Sequence, residues 1–417
     1  MSTDQVAPLQ LAKRSALIFA AAQAIVGSSA PVAISMGGLA GYYLLEADKT
    51  LATAPVTGFN IGLAVGALPA ALLMRAVGRR HGFMAGSLVT ALSGAIAGLA
   101  LMMGDFWLFA IGLAVMGVGG AFVQQYRFAA ADVSPPSFKA TAISWVLGGG
   151  VFAAIIGPQL VIMTRNLMAP VEFAGAFFSV IGLGFVGFVI LAFVHTRGQA
   201  DLATADDEII EGDERPLLEI IRQPRFLITF ACGVTTYALM SFLMTGAPLA
   251  MVGCGYTPDE ATIGISWHVM AMFAPSFFTG KLIARFGKET VVGAGLTILL
   301  LCALVALSGV QLWQFWLSLI LLGIGWNFGF IGATAMLTDT YRPSEKNKVQ
   351  GVHDFALFST VALASLLSGA ALNIFGETAE QAWFALNLIA LPVAATCLAI
   401  LVLHTLANRR QAQVPTT

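Results

Sequence analysis

Four ionisable side chains, Arg127, His268, His353 and Asp354, lie inside apolar runs of eighteen or more residues. Such runs are long enough to cross a bilayer, and a charge held at mid-bilayer costs about 3 kcal/mol or more. Residues kept there against that cost are candidates for coupling or gating. A rise of 1.5 Å per residue puts Arg127 and Asp354 about 8–9 Å in from one face and His268 about 9 Å in from the other. The first two share a depth and come from opposite halves of the chain. They are expected to form, or alternate within, an ion pair across the halves near that face, since desolvated opposite charges are tolerable together and costly apart. Arg75 is a rival partner for Asp354. Proton coupling requires a group that changes charge between states. Asp354 qualifies if burial raises its pKa, His268 by its ordinary value, and the sequence does not choose between them.

The elements holding these residues follow from composition. Of 417 residues 58% are apolar and only 10% are charged, against roughly 25% in an ordinary soluble domain. This excludes a soluble enzyme, a nucleic-acid binder and a disordered scaffold. The net charge of -1 gives no sign of a polyanionic partner. The cysteines (Cys232, Cys254, Cys302, Cys397) have neither metal nor disulfide spacing, so no cofactor, metal or catalytic cluster is expected.

Twelve spans are predicted, at 16–44, 53–74, 82–104, 106–131, 140–163, 171–194, 227–252, 262–284, 290–309, 314–338, 349–374 and 382–406. The expected fold is all-α and integral to the membrane, with bundles at 1–194 and 226–417 joined by an acidic linker at 195–225. Pro216 with Leu217, Leu218, Ile220 and Ile221 suggests a short amphipathic helix on the membrane surface. Eighteen loop lysines and arginines fall on one side and two, Lys49 and Arg165, on the other. The positive-inside bias then places both termini and the linker in the cytoplasm.

The chain repeats internally. Arg75, Gly78, Arg79 and Arg80 follow the second span; Gly280, Arg285, Gly287 and Lys288 follow the eighth, with Gly78 and Gly287 209 residues apart. Asp132, Pro136, Ser137 and Lys139 recur as Asp339, Pro343, Ser344 and Lys346 at an offset of 207. Two echoes at nearly one offset indicate duplicated six-helix halves. With these features the chain resembles the major facilitator superfamily over essentially its whole length. It departs at the loop aspartate, where Arg75 and Ala284 stand. The resemblance implies secondary transport by alternating access in a bacterial inner membrane, with one chain, a monomer, holding both halves and the cavity. Gly148–Gly150 and Gly157-Pro158 partly resemble the family's antiporter signature. The texture around Gln124–Arg127 and Gly325–Asn327 is similar to the riboflavin-uptake branch, without a diagnostic motif.

By the same resemblance the first, fourth, seventh and tenth spans line a central cavity. Their polar and aromatic members are Gln23, Ser28, Ser29, Gln124, Gln125, Tyr126, Tyr237, Ser241, Trp326 and Asn327. Amides with aromatic faces suit a planar, largely neutral solute such as a flavin, and many drugs as well. The family's usual mid-span arginine is missing from the fourth span, which counts against proton symport and leaves facilitated diffusion open; uptake of a vitamin-like solute, proton-driven efflux of drugs or metabolites and a non-transporting sensor also stay open. Gly27–Pro31 and Gly246–Pro248 are expected to interrupt the first and seventh spans, and Gly58, Gly62 and Gly66 form a row that could be a sliding seam between halves or static packing. Gly117–Gly120 lacks the strand and lysine of a nucleotide loop.

Overall fold

The computed structural model describes residues 3–46, 48–135, 138–194 and 215–412. The acidic stretch of the linker, Arg197, Pro136 and Ser137 lie outside the described residues. Every apolar run forms a helix, since in hydrocarbon each backbone N–H and C=O must find its partner within the segment. The spans are Leu9–Leu44, Ala54–Val77, Arg79–Met103, Phe106–Asp132, Thr141–Thr164, Ala174–Leu191, Pro224–Gly253, Lys288–Leu307, Leu312–Leu337, Lys348–Ile374 and Ala379–Ala407, and the pair Pro258–Phe273 and Ser276–Phe286, bent by 43°, is the eighth of twelve. The sides of the molecule are called here the basic face, which carries Arg79 and Lys288, and the opposite face, which carries Arg165 and Lys49.

Buried side chains gather within each set of six spans. Phe19, Phe83, Phe122 and Tyr126 pack together in the first six, as do Met36, Phe109, Leu113 and Phe177. In the second six, Leu243, Met251, Leu296, Phe315 and Trp383 share one cluster. Glycines bring helices into near contact. A Cβ at Gly62 would lie 1.9 Å from the Ala114 carbonyl, and one at Gly117 would lie 2.0 Å from that of Phe59. The Gly58–Gly62–Gly66 row thus packs the second span onto the fourth, within one half, and is no seam between halves. It also gives Gly117 a packing role.

Both breaks have local causes. Val26–Ser28 forms a 3-10 turn in the first span; the Ser28 hydroxyl donates to Ala24 O at 2.6 Å and that of Ser29 to Val26 O at 2.8 Å. Gly246–Pro248 does not interrupt the seventh span, which is helical from Pro224 to Gly253. Neighbouring helices tolerate a proline that removes a single hydrogen bond. The break instead falls in the eighth span at Pro275, whose missing N–H and ring end the preceding helix.

The repeat is visible in the loops. Gly78 and Gly287 adopt φ of +82° and +89°, a region that favours glycine. The next residue pairs with the acid ending the fourth or tenth span: Arg79 with Asp132, and Lys288 with Asp339 at 2.6 Å. Arg225 adds a second cation on Asp339 at 2.6 Å. Burial raises the Asp339 pKa, but the hydrogen bonds from Lys288 and Arg225 outweigh it, and the carboxyl lies below its ordinary value.

The start of the described chain after the linker is clamped to the basic face. The Glu345 side chain, fully buried, accepts from Arg215 Nη2 at 2.7 Å and Nε at 2.9 Å, and from the backbone N–H groups of Arg342 and Arg215. The Arg215 hydrogen bond, with those backbone donors, holds the carboxyl far below the carboxylate range against the opposing effect of burial. The following helix, Leu217–Ile221, sets one side on the protein, with Ile220 fully buried beside Phe226, Leu337 and Val349, and leaves Leu218 exposed on the other.

Candidate functional site: a central cavity

A cavity of about 200 Å³ lies at mid-membrane between the two sets of spans. Its wall on the first six spans includes Gln23, Ser29, Asn60, Gln124 and Arg127; on the second six it includes Tyr237, Met240, Ser241, Met244, Trp326, Phe330 and Phe358. The two walls differ in chemistry. Amides and a guanidinium face an aromatic and thioether surface. In that surface Trp326 and Phe330 stack at 5.2 Å with 18° between planes, and Tyr237 meets them edge-on at 5.4 and 5.0 Å.

Six of the ten residues expected to line the cavity do so: Gln23, Ser29, Gln124, Tyr237, Ser241 and Trp326. The other four are not among its lining residues. Tyr126 is buried in an aromatic cluster, its ring centroid 5.7 Å from Phe19 and 5.1 Å from Phe83. Ser28 bonds to the first span's own backbone, and Gln125 is half-buried. Asn327 brackets the bend of the eighth span, donating to Met272 O and Ser276 Oγ, each at 2.7 Å, and accepting from Thr279 Oγ1 at 2.6 Å. One residue of helix rotation therefore separates a cavity residue, Trp326, from a structural one.

Arg127, expected at a gate, lines the cavity and lies 4.8 Å from the Phe128 ring centroid. In this conformation it makes no ion pair with Asp354, whose carboxylate is 61% exposed and accepts from His353 Nδ1 at 2.9 Å. The His353 ring sits edge-on to Phe230 at 5.7 Å. His268 is fully buried, with Nδ1 2.8 Å from Leu319 O. A carbonyl only accepts, so Nδ1 carries the hydrogen. Asn60, Phe330 and Phe358 were missed from sequence. Asn60 had a signal, as an amide inside an apolar run, but the second and eleventh spans were not expected to line the cavity.

Among the described residues, hydrogen bonds join the two sets of spans at mid-membrane and on the opposite face. Ser266 Oγ donates to Ala154 O at 2.5 Å. Thr53 Oγ1 donates to Ser365 O at 3.0 Å, and Asn373 Nδ2 to Thr50 Oγ1 at 2.9 Å. Arg165 and Asp259 form a bidentate pair at 2.7 and 3.2 Å. The glycines of the fifth span fit it between its neighbours: a Cβ at Gly149 would lie 2.2 Å from Ala20 O, and one at Gly150 3.0 Å from the Phe273 ring.

The family model for the Major Facilitator Superfamily matches residues 15–275 and 229–416. The chain belongs to the major facilitator superfamily. It is 48% identical over 393 residues, 94% of this chain and 96% of the other, to "Riboflavin transporter RfnT" of Brucella anthropi. It is also 29% identical, over 86% of this chain and 85% of the other, to "Uncharacterized MFS-type transporter YddS" of Bacillus subtilis. Among solved structures, that of the nucleoside transporter NupG superposes with a TM-score of 0.66 at 14% identity, covering 94% of this chain and 98% of that one, which shows the shared fold. The chain is thus a multi-pass membrane protein and a secondary transporter of a small molecule, not an enzyme.

Proposed function

We propose that this transporter carries riboflavin, or a flavin close to it, into the cell by alternating access. The observation that carries the reading is the 48% identity to a riboflavin transporter across nearly the full length of both chains. The cavity supports it: an aromatic wall offers a face for a planar ring system, and the facing amides and Arg127 offer hydrogen bonds to its edge. About 200 Å³ is less than the ~300–1,000 Å³ usual for organic ligands. The walls must therefore part to admit a tricyclic ring, as a rocking-bundle mechanism requires.

On this reading the protein acts as a monomer in the bacterial inner membrane, with both termini and the linker in the cytoplasm, an orientation the basic loops support. The bundles at 1–194 and 226–417 are the moving halves. The cross-links at the opposite face hold this conformation shut toward the outside. When it turns outward, Arg127 and Asp354 approach and latch the cytoplasmic side.

Expression in a riboflavin auxotroph that lacks its own importer tests the reading. Growth at low external riboflavin is expected, and no growth despite normal membrane expression overturns it.

A further inference from the structure

The walls of the central cavity hold unused hydrogen-bond donors with no matching anion. Asn60 Nδ2, Arg127 Nε and Trp326 Nε1 are buried and without a protein partner, and all three residues line the cavity. Arginine and the indole are donors only, and the free atom of Asn60 is its donor nitrogen. None of the residues lining the cavity is an aspartate or glutamate. A buried donor left unmet carries its full desolvation cost, so an occupant that supplies acceptors gains affinity and one that supplies more donors or a positive charge loses it. The stacked Trp326–Phe330 pair with Tyr237 gives the occupant's ring a face to lie on.

We propose that Arg127, Asn60 and Trp326 are the specificity-determining residues of this cavity, and that they select planar heteroaromatic rings bearing two carbonyl oxygens on one edge while rejecting amino-edged rings and cationic amphiphiles. The two carbonyls flanking a cyclic imide N–H offer acceptors that the Arg127 Nε–H and the Asn60 amide N–H can satisfy. In this conformation, with Asp354 turned away, a cationic amphiphile meets the Arg127 charge with no carboxylate in the lining to offset it. This deepens the flavin reading and rests on it only for which dione ring is the natural one. It also gives a physical reason for carrying such a ring in preference to cationic drugs.

The test is binding to the purified full chain in nanodiscs, followed by tryptophan fluorescence. The probes are riboflavin, lumichrome, lumazine and 2,4-diaminopteridine, with tetraphenylphosphonium as the cation. The wild type is expected to bind the dione rings at least about tenfold more tightly than the diamino ring or the cation. Arg127→Gln is expected to weaken dione binding by about 10–100-fold and Asn60→Leu by about 3–10-fold, with discrimination against the diamino ring shrinking in parallel. Arg127→Lys, which keeps the charge and loses the fork, falls between. Unliganded melting temperatures show that each variant is folded. Dione affinity unchanged within twofold in folded Arg127→Gln and Asn60→Leu overturns the proposal while leaving riboflavin binding intact. Wild type that binds lumazine or lumichrome through Arg127 but ignores riboflavin overturns the flavin reading and keeps this one.

Discussion

The Arg165–Asp259 pair gives the sharpest handle on alternating access, because it joins the fifth and eighth spans at the opposite face. The side chains are 13% and 36% exposed, between a surface pair and a buried one. Surface pairs contribute about 0–1 kcal/mol and breaking buried ones costs about 3–5, so about 1–2 kcal/mol is expected here. A contact present in one conformation only shifts the equilibrium by its full value, which is about 5–30-fold in population. Arg165→Gln should therefore open the opposite face more often. Ile34 lines the cavity, so Ile34→Cys reports that opening when a membrane-impermeant maleimide is added to intact cells. Cys254, half-buried near that face, is first changed to serine. The labelling rate should rise about 5–30-fold in Arg165→Gln, and Arg165→Asp with Asp259→Arg should return it toward the parent value. Rates within twofold of the parent in both Arg165→Gln and Asp259→Asn would refute the reasoning.

Other consequences concern stability. Glu345 has a folded-state pKa depressed below its unfolded value of about 4.3, so its stabilising effect is complete above that value and is lost as pH falls through the folded pKa. Glu345→Gln should melt below wild type at pH 7, with the gap narrowing only in strong acid, as a pH series of melting curves would show. Gly62→Ala places a methyl where the Ala114 carbonyl stands and should cost about 1–3 kcal/mol in denaturant or thermal unfolding. Asn327→Ala removes the bracket of the eighth-span bend and should lower the melting temperature, losing about 1–3 kcal/mol, without changing flavin affinity. Trp326→Ala should lower flavin affinity as well as stability, since the ring is both buried and on the cavity, so an affinity loss in Asn327→Ala would contradict the assignment of these neighbours to different roles.

Much of the fold was legible because its cause is simple. Backbone satisfaction in lipid turns every long apolar run into a helix, and all twelve runs read from the sequence correspond to spans. The loop echo was legible too, since Gly78 and Gly287 are needed for one backbone conformation and Arg79 and Lys288 for one ion pair. What stayed hidden depends on helix rotation and on partners distant in sequence. Nothing local distinguishes Trp326, on the cavity, from Asn327, turned to the eighth span. The Gly246–Pro248 and Pro275 segments look alike in sequence, yet only the second ends a helix, and there Asn327 satisfies the Met272 carbonyl left at the break. Arg127 was read for its depth as a gate, and its depth alone could not reveal that it also faces the cavity.

Counterflow in proteoliposomes tests the central claim most directly. Vesicles containing the purified protein are loaded with unlabelled riboflavin and diluted into a trace of labelled riboflavin. Transient accumulation of label above the external concentration, absent from protein-free vesicles, is the predicted result. Label that never exceeds the protein-free level, with the protein shown to be folded and inserted, would contradict the account.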